Sequence, residues 1–169
     1  MDGDDEMDFG PVDGVVGTRD VPDSVRALSS LPRIDYADRF TLLSTDADAS
    51  PERWARAMFG DVPSAGELLI WRGFLGLRLS PGRSPATVAG WRIDGRGDDW
   101  IRLGAASWFL TADLLVQTAG GRVSLTTFLH YARFPGHVVW PPLAAVHRRL
   151  APAVLRAAAT RLAARPAPA

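Results

Sequence analysis

Apolar and polar residues alternate with a period of two over much of the second half of the chain. Thr87, Ala89, Trp91 and Ile93 share one phase, and Ile101, Leu103, Ala105 and Ser107 share the next. Leu110, Ala112, Leu114 and Val116 follow, then Val123, Leu125, Thr127, Leu129 and Tyr131. Such alternation marks half-buried strands. Gly95-Arg96-Gly97-Asp98 makes a turn between the first two rows. Gly120-Gly121 separates the last two and signals a hairpin, because both glycines accept positive φ. The four rows predict an antiparallel meander with one apolar face and one face open to water. A slip of one residue would turn the apolar face outward.

The pattern before the meander is different. Ile34 to Leu43 reads as the first strand. Ser50-Pro51-Glu52 reads as a helix start, with Ser as N-cap, Pro in the first turn and an acid near the positive end of the dipole. Trp54, Ala57 and Met58 then share a helical face, and Gly60 ends it. Ser64 and Glu67 have the spacing of a capping box, which opens a second helix through Leu68, Trp71 and Leu75. After the meander, Pro141-Pro142 predicts the start of a long helix. There Leu143, Val146, Leu150 and Val154 lie within about 80° of one another and are expected to face the core. Arg148, Arg149 and Arg156 fall on the far side, and Pro152 predicts a kink.

These elements define a single domain over residues 23–163, with one helical turn beginning at Asp23. Residues 1–22 are rich in Asp and Gly and read as a disordered acidic tail, and residues 164–169 as a frayed end. The length of 169 residues and an apolar fraction of 47% allow a core of useful size. A net charge of +0 argues against nucleic acid as the main partner. The chain has no cysteine, which excludes disulfides and thiolate chemistry. No apolar run is long enough for a membrane span, and the acidic first residues do not read as a signal peptide, so a cytoplasmic monomer or homodimer is expected. Every basic side chain except histidine is arginine, and no carboxylate side chain follows Asp113.

The order of strand, two short helices, meander and long C-terminal helix resembles the helix-grip fold of the SRPBCC superfamily, the START and polyketide-cyclase-like proteins. A closer resemblance is to an uncharacterised domain family within or near that superfamily. It rests on Asp35-Tyr36-Ala37-Asp38 with Phe40, Trp54 to Phe59, Trp71-Arg72 with Gly76-Leu77, and Pro142 with His147. It covers roughly residues 33–155, and its motifs carry no assigned chemistry. The resemblance implies an α+β fold: a curved antiparallel sheet, two short helices after the first strand, and the long helix over the concave face with a cavity between. Four strands are expected here after the two helices, against six in larger members of the superfamily.

His147 is the first candidate for chemistry. It lies about 40° from Leu143 on the helical wheel, on the expected buried stripe. There it suits an acid or base, or an anchor for a polar ligand group. It equally suits a neutral core histidine bonded to a backbone carbonyl or to a hydroxyl such as Tyr131. Trp71, Trp91, Trp108, Tyr131 and Trp140, with Leu143 and Leu150, are candidates to line a pocket; each also suits ordinary core. Asp113 is on the outward phase of its row and is expected at the surface. Asp38 is expected in an ion pair with Arg39 or with an arginine of the helices. His130, His137 and His147 do not share a face, so no metal is expected, and no motif calls for a cofactor. No serine sits on a nucleophile elbow, and the Gly-rich turns do not lead into helices. Three functions remain open: a binder of an apolar, lipid- or polyketide-like small molecule, an enzyme of the cyclase, dehydratase or hydrolase type using His147, and a non-catalytic module presenting the arginine face.

Overall fold

The computed structural model describes residues 10–46 and 48–164. The fold is α+β, a seven-stranded antiparallel sheet with a long C-terminal helix. The strands are β1 (Asp13–Val16), β2 (Tyr36–Leu43), β3 (Thr87–Val88), β4 (Trp91–Arg96), β5 (Trp100–Ala106), β6 (Leu110–Ala119) and β7 (Arg122–Tyr131). Their order across the sheet is β1-β2-β7-β6-β5-β4-β3. The helices are α1 (Asp23–Arg26), α2 (Pro51–Phe59), α3 (Ala65–Leu68) and α4 (Pro135–Ala163). A π-helical turn, Leu69–Phe74, continues α3.

Most local signals produce the elements they imply. The Ser50 hydroxyl caps α2 by accepting from Arg53 N–H, and Ser64 and Glu67 form the reciprocal capping box of α3. Gly120 and Gly121 have φ of 59° and 71°, as a tight β6–β7 hairpin needs. The row read as one strand through Thr87, Ala89, Trp91 and Ile93 is instead two. Ala89 and Gly90 take φ of 49° and 82°, and Val88 pairs with Trp91 across the turn. A side chain at Gly90 would strike Leu79 and the Ser80 carbonyl, so the turn is pinned by its neighbours. Five strands therefore follow the short helices, not four.

Two larger expectations are overturned. The acidic tail expected to be disordered over residues 1–22 contains β1, which pairs with β2 from Asp13↔Thr41 to Val16↔Asp38. Residues 1–9 lie outside the described part. The chain from Gly17 to Ile34 then crosses the sheet face that was expected to meet water. Val21, Val25, Ala37, Leu115 and Phe128 form a buried cluster there, flanked by Leu28, Leu31, Ile34 and Trp100. Asp113 is accordingly not at the surface. It is 1% exposed and accepts from Ser29 Oγ, Ser30 N–H and Ser30 Oγ. Arg102 completes the clamp, bonding Asp94 and the Leu28 carbonyl.

The opposite face carries the main core, covered by α2, the π-helical turn and α4. Pro141 and Pro142 lie inside α4, which starts one and a half turns earlier at Pro135. The early turn is held by Gly136, packed against Tyr131, and by the buried ring of Trp140. The buried stripe is Trp140, Ala144, Ala151, Leu155, Ala158, Ala159 and Leu162. It is displaced by about a third of a turn from the expected stripe. Alanines let the helix axis approach the sheet closely, so the larger aliphatic side chains stand beside the contact. Val146 and Leu150 are each 47% exposed. Among the described residues no helix is long and apolar enough to cross a membrane.

The revised stripe fixes a stability order. Leu155→Ala should cost roughly 2–5 kcal/mol in urea unfolding, and Leu150→Ala less than about 1 kcal/mol. The reverse order would mean that α4 is rotated from this position. Burial also holds the Asp113 carboxyl above its usual range, against the hydrogen bonds from Ser30 and Ser29 that pull it down. The folded chain then keeps this proton to higher pH than the unfolded chain, so this group costs stability as pH rises from about 4. Asp113→Asn should gain stability relative to the parent chain between about pH 4 and neutrality, measured as the difference in unfolding free energy. A difference that falls with pH would contradict the burial argument.

Candidate functional site

The site begins with strand phase. In β2, Tyr36, Asp38, Phe40 and Leu42 point to the main core, and Asp38 is the one carboxylate in that row. The β2–β7 register sets Asp38 opposite Thr127. Above them α4 brings His147, one turn beyond Leu143. His147 Nε2 lies 3.1 Å from Thr127 Oγ1 and 3.1 Å from Asp38 Oδ2. Asp38 is fully buried and also accepts from the Tyr36 hydroxyl at 2.6 Å. Burial, reinforced by the neighbouring Asp38 charge, pushes the Tyr36 phenol far above its usual range, so it remains a donor. Trp140 packs against both Tyr36 and His147, with ring centroids 5.1 Å and 5.5 Å away.

A neutral His147 that donates from Nε2 to the carboxylate carries its lone pair on Nδ1. Among the described residues Nδ1 takes no hydrogen bond. Asp38 thus supplies the partner that the sequence did not identify for His147. The expected Asp38 ion pair with an arginine is absent among the described residues: Arg39 is on the other face of β2 and bonds Ser124.

A cavity of about 120 Å³ adjoins this cluster. Its floor is Ala112, Leu114, Leu125 and Leu129 of the sheet. Its walls include Phe59, Ile70, Trp71, Leu75 and Trp91 on one side, and Trp140, Leu143, His147, Leu150 and Val154 on the other. Trp71 is fixed by edge-to-face contacts with Trp91 and Phe59 at 5.4 Å and 6.1 Å. The wider π-helical turn carries this ring, and Leu77 N–H closes the segment on the Trp71 carbonyl. Phe59, Glu67, Leu150 and Val154 form the rim, lining both the cavity and a surface groove between α2 and α4.

Six of the eight pocket candidates therefore come together: Trp71, Trp91, Trp140, Leu143, His147 and Leu150. Trp108 and Tyr131 do not. Trp108 is 57% exposed on the turn between β5 and β6, because its position follows the last inward residue of that strand. Tyr131 ends β7 and packs on His137 and Gly136, and burial pushes its phenol up to about 12. Asp38, Tyr36 and Thr127 were missed as a group. Their signal was present, since each is a polar residue in an inward row.

The remaining histidines are elsewhere. His130 pairs with Asp35 at 2.8 Å on the other face. Burial raises the Asp35 carboxyl, yet hydrogen bonds from Tyr131 N–H, His130 and Arg33 hold it below its usual range. His137 stacks on Tyr131 and Phe134 at the start of α4. Among the described residues no group of side chains has the makings of a metal site. Comparison with protein-family models, curated proteins and solved structures finds no match.

Removing the carboxylate should be costly. Asp38→Ala strands the Tyr36 hydroxyl and leaves His147 Nε2 with Thr127 Oγ1 alone, so a loss of about 1–3 kcal/mol is expected in chemical denaturation. Asp38→Asn, which keeps an acceptor, should lose less. Equal stability of Asp38→Ala and the parent chain would show that the three groups are not coupled.

Proposed function

We propose that this chain binds a small, largely apolar molecule in the cavity beside α4, with His147 as its polar anchor. The observation that carries the reading is the lining: apolar side chains on nearly every side, with polar side chains confined to Glu67 and to His147, which Asp38 holds from behind the wall. Cavities of about this size accept a single aromatic ring. The Trp91 and Trp140 rings also line it, and neither indole N–H has a hydrogen-bond partner among the described residues. An unpaired buried donor costs about 1–3 kcal/mol. A ligand oxygen reaching either group would recover that cost, so the favoured ligand is a ring carrying a hydroxyl or carbonyl. The kinship we propose is with the helix-grip proteins. Two short helices after β2 and a long final helix against the sheet support it, while β1 and the segment over the other face are additions to that plan.

A second reading is favoured by one contact. The Asp38–His147 pair is a carboxylate-oriented imidazole next to an apolar cavity, the arrangement a general acid or base requires. In that reading the chain is a cyclase-, dehydratase- or hydrolase-type enzyme, and Asp38 is a positioning residue that fixes the imidazole.

Thermal-shift measurements with matched pairs such as phenol and benzene, or naphthol and naphthalene, separate these possibilities from an empty scaffold. Stabilisation by the oxygenated member, lost in His147→Ala and weakened in Trp140→Phe, is expected. No shift with any apolar ring, or identical shifts in His147→Ala, would reject the anchor. Turnover of a bound ligand that disappears in His147→Ala while binding persists would move the assignment to the enzyme.

A further inference from the structure

One end of the molecule is made by three short segments that meet: Phe74 to Arg78, Ala106 to Phe109, and Arg133 to Val138. Arg78 N–H donates to the Ala106 carbonyl at 3.0 Å, and Arg133 N–H to the Phe109 carbonyl at 3.2 Å. The Gly76 backbone lies against the Ser107 and Phe109 side chains. The large apolar residues of these segments are turned outward. Phe134 is 75% exposed, Val138 58%, Trp108 57% and Phe74 54%. The Arg133 guanidinium sits 5.9 Å from the Trp108 ring centroid, and the Arg78 side chain is also exposed.

The charge around this cluster has one sign. No carboxylate side chain occurs between Leu68 and Ile93, between Trp100 and Ala112, or after Asp113. Asp35, which meets Tyr131 N–H at the end of β7, is taken up by Arg33 and His130. The N-terminus of α4 points its positive dipole end toward the same place. Large apolar side chains left in water forgo the free energy of burial, so a cluster of them on turns implies a partner. The cluster projects from turns and does not form a groove. Projecting aromatic rings flanked by Arg78 and Arg133 fit the headgroup zone of a bilayer, where rings enter the boundary and guanidinium groups meet phosphates.

We propose that this end of the protein docks on an anionic lipid surface, with Trp108 and Phe134 entering the headgroup boundary and Arg78 and Arg133 contacting lipid phosphates. The proposal does not depend on what the cavity holds. Sedimentation with phosphatidylcholine vesicles, with and without phosphatidylserine, tests it. The parent chain should bind the phosphatidylserine vesicles, and binding should weaken with salt. Trp108→Ser with Phe134→Ser should lower the affinity roughly tenfold or more. Arg78→Gln with Arg133→Gln should remove the preference for phosphatidylserine. Thermal unfolding matched to the parent chain establishes that both variants are folded. If the aromatic variant is not, quenching of the parent chain's tryptophan emission by brominated lipid decides in its place, with no quenching counting against the proposal. Absence of binding to either vesicle, or equal binding by both variants and the parent chain, would overturn it. So would a self-associating parent chain that becomes monomeric in the aromatic variant without any vesicle binding, which would make the surface a protein interface.

Discussion

The register between β2 and β7 is the constraint on which the site depends. It pairs Asp38 with Thr127 and Phe40 with Leu125, so one polar step is set within an apolar row on both strands. His147 reaches that step from α4 because Trp140, Ala144 and Ala151 hold its helix against the sheet. A shift of one residue in this pairing would send Asp38 to the other face and leave His147 over apolar side chains. The buried carboxylate tolerates its position because it has two partners, the Tyr36 hydroxyl and His147 Nε2, and the strand register fixes its direction. Burial of a charge without such partners is far more expensive than any single hydrogen bond recovers.

The same period of two operates on the opposite face. Asp113 is out of phase with Leu114, so it faces away from the cavity and under the N-terminal segment. Ser29 and Ser30 supply hydroxyls and a backbone N–H to it, which ties an irregular stretch of chain to the centre of the sheet. Leu115 and Phe128, in the same outward phase as Asp113, supply the apolar part of that contact. The sheet is thus filled on both sides. A helical layer with a cavity covers one, and a segment without long helices covers the other.

The strands, the capped starts of α2 and α3 and the β6–β7 hairpin were legible because each rests on neighbours in the chain. What was not legible depends on contacts remote in sequence. Leu115 and Phe128 sit at outward positions in otherwise alternating rows, and they were the available sign of a second covered face. The phase of α4 was not legible because its large aliphatic residues dominate the hydrophobic pattern and lie beside the core stripe. Alanine contributes little to a hydrophobic pattern, yet it decides how closely a helix can approach a sheet. Prolines within α4 obscured its start, since Pro141-Pro142 has the form of a first turn and is carried here within a longer helix. Of the site, His147, Trp71, Trp91, Leu143 and Leu150 could be chosen from type and periodicity. The link from His147 to Asp38 could not, because it spans two elements at opposite ends of the chain.

The close approach of α4 and the cavity have a common origin. Where the helix presents Ala151, Ala158 and Ala159 with Leu155, it fills the space above the sheet and packs on α2. Nearer its start it presents Leu143, His147 and Leu150 beside the stripe, and the opposite wall is the π-helical turn with Ile70 and Trp71. The extra residue accommodated in a π turn sets this wall at a different angle from an α-helical continuation of α3. The Trp71 ring rests on Trp91 and Phe59, so it cannot collapse into the gap without breaking both contacts. The space between the walls therefore remains, bordered by the one histidine that the helix turns toward the polar step of the sheet.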